Sequence, residues 1–159
     1  MPNDRQYMYR CMQLARLGAY YTAPNPMVGA VLVRYSDSGE EEVIAEGWHQ
    51  QFGGPHAEVN CIRQACKKLG TFILEGCEIY SSTEPCPMCL SAIYWAHIDK
   101  IYYAATKDDA AYGGFDDDFI YKELDTEKTK RKIPALNFLQ EEGRKVFDIW
   151  LKTENKTEY

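Results

Sequence analysis

Two short proline-led motifs constrain this chain more than anything else in it. The first is Pro55-His56-Ala57-Glu58 and the second is Pro85-Cys86-Pro87-Met88-Cys89. A neutral imidazole and two thiolates suit Zn²⁺, which takes four ligands in a tetrahedron. His56, Cys86 and Cys89 supply three of them, one zinc per chain, and leave the fourth position for water, as a catalytic site requires. Any fold must therefore bring together two loop-to-helix junctions that are far apart in sequence. Pro87 fits the first position of a helix, so Cys86 and Cys89 flank a helix N-terminus, where free N–H groups favour thiolate charge. His56 and Glu58 fall in the first turn of a second helix, predicted to run to about Leu69. There Glu58 sits beside the metal without binding it, free to carry protons between the metal's water and a substrate. A zinc ion lowers the pKa of its water to about 7, which suits such a carrier.

Taken singly, each motif has a plainer reading. A Cys-x-x-Cys alone fits a redox pair or half of a structural zinc site, and His-x-Glu alone carries little information. A structural site lacks a convincing fourth ligand here; His49 and His97 are the remaining histidines, and His97 falls at the end of a helical pattern as a capping or surface residue.

The 159 residues suffice for one domain with a real core. Met1 to Arg10 holds charge and tyrosine rather than an apolar leader, and no stretch is apolar enough to span a membrane, which predicts a cytoplasmic protein with reduced thiols. Cys11, Cys61, Cys66 and Cys77 then read as small core residues. The net charge of −6 argues against nucleic acid, whose capture needs a basic face. The densest basic run, Lys128 to Lys132, follows an acidic stretch and reads as a solvated loop. A small free substrate is expected.

In chain order, helical spacing runs from Asp4 to about Leu17, and Thr22 to Pro26 reads as an extended, rigid loop. Strands are predicted at Val28–Val33, Val43–Glu46, Cys77–Ser82 and Lys100–Ala105, with the Cys86 helix reaching Ala96. This alternation predicts an α/β sandwich with a partly parallel sheet. Gly113 to Phe119 reads either as an acidic helix cap or as a substrate contact, and a final helix lies beyond Pro134.

With the two motifs in this order, the chain resembles the cytidine deaminase superfamily. From Glu58 onward it is similar to the small bacterial guanine deaminases, through Glu84 to Leu90, Ala92 to Ala96, Gly114-Phe115-Asp116-Asp117, Phe119 to Glu123 and Glu158-Tyr159. The resemblance implies a three-layer α/β/α fold, with a mixed five-stranded sheet between helices, in a homodimer that exchanges C-terminal segments. It also implies guanine as substrate, held by Asp117 and by Tyr159 from the partner chain. The first third, through Pro24-Asn25-Pro26 and Gly47-Trp48-His49, instead resembles the deaminases of riboflavin biosynthesis, which act on a phosphoribosylated aminopyrimidinone. Asn25 is expected to bind a ring carbonyl, and His49 to donate a hydrogen bond where guanine deaminases carry an asparagine. Trp95 and Phe115 read as apolar walls or as core. Three outcomes stay open at this point: guanine deamination, deamination of the riboflavin aminopyrimidinone or another heterocycle, and a zinc-bound fold with little turnover.

Overall fold

The computed structural model describes residues 3–157, and contacts divide the chain into two compact units, one ending at Tyr121 and one beginning at Lys122. The first unit opens with α1 (Asp4–Leu17), followed by β1 (Gly29–Tyr35), β2 (Glu41–Trp48), α2 (Ala57–Leu69), β3 (Cys77–Thr83), α3 (Pro87–Trp95), β4 (Lys100–Ala105) and α4 (Lys107–Tyr112). The strand order is β2-β1-β3-β4, with β1 antiparallel to both its neighbours and β3 parallel to β4. The four predicted strands are all present, three of them longer than expected.

Side chains alternate across the sheet and build three layers. Ala30, Leu32 and Ile79 face a core that includes Ala57, Cys61, Ile62 and Ala65 of α2 and Ile93 of α3. Val31, Val33 and Tyr80 face Cys11 and Leu14 of α1. Burying each large aliphatic chain contributes about 1.5–3 kcal/mol, so the two helical layers are held chiefly by this alternation. Three of the four cysteines assigned to the core, Cys11, Cys61 and Cys77, are fully buried, and Cys66 is half-buried. A bulge between Leu32 and Val33 leaves Ile44 without a register partner, so that Ile44 and Ala45, adjacent in sequence, both enter the α2 layer.

Two glycines let helices approach the sheet closely. A Cβ on Gly29 would lie 2.1 Å from the Cys11 carbonyl oxygen of α1, and one on Gly47 would lie 2.4 Å from the Ala57 carbonyl oxygen of α2. Gly47 thereby fixes how near the first turn of α2 comes to β2.

The expected fifth strand is not there: among the described residues the sheet has four strands. The chain leaves β4 at Thr106, whose side chain closes a capping box with Asp109 and starts α4 at once. Later, residues 131–139 pair with no strand, and Pro134 has no N–H to offer a ladder. Thr22–Pro26 is also corrected, from an extended loop to a turn: the Asn25 N–H donates to the Thr22 carbonyl at 2.7 Å and the Ala23–Pro24 peptide is cis.

Helix α5 (Asp118–Asp125) carries the chain into the second unit, which continues through a 3₁₀ turn at Lys128–Lys130 to α6 (Gln140–Lys152). The basic run from Lys128 is largely exposed, as expected. On α6 the apolar residues Val146, Phe147, Ile149, Trp150 and Leu151 are all exposed.

Candidate active site

The metal-binding groups lie where two helices begin. His56 is the N-cap residue of α2 and Cys86 that of α3, both in extended conformation, with Pro87 opening α3. Asn60 fastens the first junction: its Nδ2 donates to the Trp48 carbonyl at 3.0 Å and to the Pro55 carbonyl at 3.1 Å. The two junctions meet. His56 Nδ1 is 3.6 Å from Cys86 Sγ and 3.5 Å from Cys89 Sγ, and the three donor atoms lie within 4.8 Å of one another.

These distances fit zinc. Zn–N bonds of about 2.05 Å and Zn–S bonds of about 2.3 Å at a tetrahedral angle separate N from S by about 3.6 Å. The electrostatics agree as well. A hydrogen bond from Cys89 and the adjacent His56 pull the Cys86 thiol down to about 4, the same pairing raises Cys89, and the Cys86 sulfur raises His56. Cys86 is thus poised as a thiolate, and a cation would displace the proton that Cys89 keeps.

Glu58 lies one residue into α2 and is only 3% exposed. Burial raises its carboxyl above the usual range, which suits a group that must both take and give a proton. Ser81 Oγ donates to Glu58 Oε1 at 2.9 Å and so fixes its rotamer.

A cavity of about 320 Å³ opens over this cluster, at the small end of small-molecule sites. His56, Glu58 and Cys86 form one side of its lining, Pro26 and Val28 add an apolar wall, and Phe115, Asp116 and Asp117 stand among the remaining residues. Among the described residues no lysine or arginine lines it. Asp117 is half-buried, and burial, followed by the Cys86 charge, raises its carboxyl.

The structure therefore gathers His56, Cys86, Cys89, Glu58 and Asp117, and it also settles Phe115 as a cavity wall. Others fall elsewhere. Trp95 does not line the cavity: it ends α3, about 9 Å along the helix from Cys89, and is 64% exposed. His49 does not line it either. That ring is 2% exposed, its Nε2 pairs with the Gln51 carbonyl at 2.8 Å, and its centroid lies 5.2 Å from that of His56. Asn25 adjoins the cavity residue Pro26, and its Oδ1 is buried without a hydrogen-bond partner, an acceptor left open. Tyr159 lies outside the described residues.

Ser81 and Asn60 were not picked out from the sequence. Ser81 carried a signal, since it sits two residues after Ile79 on a buried strand and so presents a hydroxyl toward the start of α2. Asn60 carried none.

Comparison with known proteins places this geometry. The model of the cytidine and deoxycytidylate deaminase zinc-binding region matches residues 1–105. Guanine deaminase of Bacillus subtilis is 42% identical over 161 residues, covering 99% of each protein. Its X-ray structure superposes with a TM-score of 0.83 at 41% identity, covering 98% of both chains. The likeness to guanine deaminase thus spans the first third too. That third also resembles the chloroplastic riboflavin biosynthesis protein PYRD of Zea mays, 38% identical over 110 residues, which are 65% of this chain but only 26% of that protein. On its matched motif, its fold and its paired helix-start ligands, the chain belongs to the cytidine and deoxycytidylate deaminase zinc-binding family.

Proposed function

We propose that this chain is a zinc-dependent guanine deaminase, converting guanine and water to xanthine and ammonia. The observation that carries this reading is a small cavity, walled by carboxylates and free of cationic side chains, directly over His56, Glu58 and Cys86. Such a lining favours a neutral heterocycle rich in N–H donors and disfavours a phosphate. A relative alike over its full length, guanine deaminase of Bacillus subtilis, carries the same activity in its name.

When bound by His56, Cys86 and Cys89, zinc supplies the Lewis acid that makes water a nucleophile near neutral pH. Glu58 accepts the proton of the water that attacks C2 and delivers it to ring N3. It then takes the hydroxyl proton and delivers it to the amine, which departs as ammonia. Ser81 keeps the carboxylate oriented through both transfers. Asp117 accepts from ring N–H groups, and the open Oδ1 of Asn25 is turned to the substrate through its own small movement or a bridging water. Phe115, Pro26 and Val28 exclude solvent from the ring faces.

The riboflavin aminopyrimidinone is the second reading, favoured by the first third of the chain. It carries a phosphate, and the basic residues of α2 are poorly placed to meet one. Lys68 pairs with Glu42 at 3.2 Å, toward the end of α2 opposite the zinc ligands. Side-by-side turnover of the two compounds by zinc-loaded protein decides: a higher kcat/KM for guanine supports the assignment, and a higher value for the phosphorylated compound reverses it.

The exposed apolar residues of α6 support a homodimer that exchanges C-terminal segments and completes each site with the partner's Tyr159. In that arrangement the whole chain serves a single deaminase domain. Removing residues 154–159 is then expected to weaken turnover and leave zinc bound. No helix among the described residues is long and apolar enough to cross a membrane, and the free thiols suit a reducing compartment, which we take to be the cytoplasm.

A further inference from the structure

Glu84 stands between the end of β3 and Pro85, and it grips the chain that leaves β4 by two bonds. Its N–H donates to the Ala105 carbonyl at 2.8 Å, and its Oε2 accepts from the Lys107 N–H at 2.9 Å. Lys107 continues the connection: its Nζ lies 3.3 Å from Asp118 Oδ1 and 5.5 Å over the ring of Tyr121. The Tyr121 hydroxyl returns to the Pro85 carbonyl at 3.5 Å. The segment from Thr106 to Tyr121 therefore begins and ends on the Glu84-Pro85 dipeptide. Phe115, Asp116 and Asp117 lie within that segment, and Cys86 follows Pro85. The Lys107–Asp118 pair is exposed and contributes little, whereas a carboxylate held on a backbone N–H makes a stronger, charge-assisted bond.

We infer that Glu84 is a positioning residue, which fixes the aspartate wall of the cavity to the turn that carries the zinc ligand Cys86. Glu84 itself stands among the cavity-lining residues, but with its Oε2 committed to the Lys107 N–H it serves to place Asp117, and its substrate readout rests on the guanine reading above.

The test compares wild type, Glu84→Ala, Glu84→Gln and Lys107→Pro, all zinc-loaded, by guanine kinetics and by amide hydrogen exchange over residues 107–117. Lys107→Pro removes the donor of the same bond at a helix position that tolerates proline. Glu84→Ala and Lys107→Pro are each expected to raise KM about tenfold, with kcat within about threefold of wild type and faster exchange in the segment. Glu84→Gln, which keeps an acceptor oxygen, is expected to restore both. Unchanged KM and exchange in Glu84→Ala and Lys107→Pro would overturn the inference, as would a Glu84→Gln protein as impaired as Glu84→Ala. If wild type releases no ammonia from guanine, the functional reading fails, and the exchange rates alone decide the role of Glu84.

Discussion

The two sides of the cavity are built differently. His56, Glu58 and Cys86 rise from helix starts that are packed on a buried sheet, and Glu58 is further fixed by the fully buried Ser81. Asp116 and Asp117 come instead from a surface segment after α4, where Phe115 is 37% exposed. The difference teaches where each property is set. On the proposed function, the chemistry rests on the rigid core, which tolerates few changes, and substrate choice on a segment held by a handful of polar bonds. Damage to the first side should abolish turnover, and damage to the second should shift affinity.

Glu58→Gln offers the strongest test of this contrast. It is expected to lower kcat by about 10³-fold, within the range of general acid–base catalysis, while one zinc per chain stays bound; kcat and metal content together check it. Retained turnover would remove Glu58 from its role. Next comes the scaffold beneath that side. Gly47→Ala places a methyl against the Ala57 carbonyl and is expected to cost about 2–3 kcal/mol, lowering the melting temperature by roughly 5–10 °C. An unchanged melting curve would show that α2 is free to move off β2.

On the opposite side, Asp117→Asn is expected to raise KM for guanine about tenfold with kcat changed far less, since it weakens binding more than chemistry. An equal fall in kcat would place Asp117 in the proton path. The smallest effect lies away from the cavity, on the bidentate Arg10–Glu46 pair at 2.7 Å. Its hydrogen bonds hold the Glu46 carboxyl below the usual range. A lowered folded-state value adds stability above the ordinary glutamate range, and that gain is lost as pH falls through the folded value. Glu46→Gln is therefore expected to cost about 0.2–1 kcal/mol at pH 7, with the difference from wild type vanishing in acid. Denaturation at the two pH values measures it.

The same contrast explains what was legible in the sequence. His56, Glu58, Cys86 and Cys89 were readable because their side-chain types and their places at helix starts encode the metal chemistry directly. Strands such as β4 were readable from short apolar runs between turn residues. The bond between His49 Nε2 and the Gln51 carbonyl was not legible, because it depends on how residues 49–54 curl, which no spacing records. Trp95 was read as a wall or as core from its type alone; in the single chain it is exposed at the end of α3, outside the cavity lining. The five-stranded sheet came from resemblance, and the capping box at Thr106 with the unpaired stretch around Pro134 leaves four. Asn60, which ties Trp48 and Pro55 together, is one polar residue among many on an amphipathic helix until the fold is seen.

The most direct measurement follows xanthine and ammonia together when zinc-loaded protein is mixed with guanine. The account predicts both products in equal amounts, with turnover lost when zinc is removed and regained when it is restored. Protein with zinc confirmed at one ion per chain that releases neither product would contradict it.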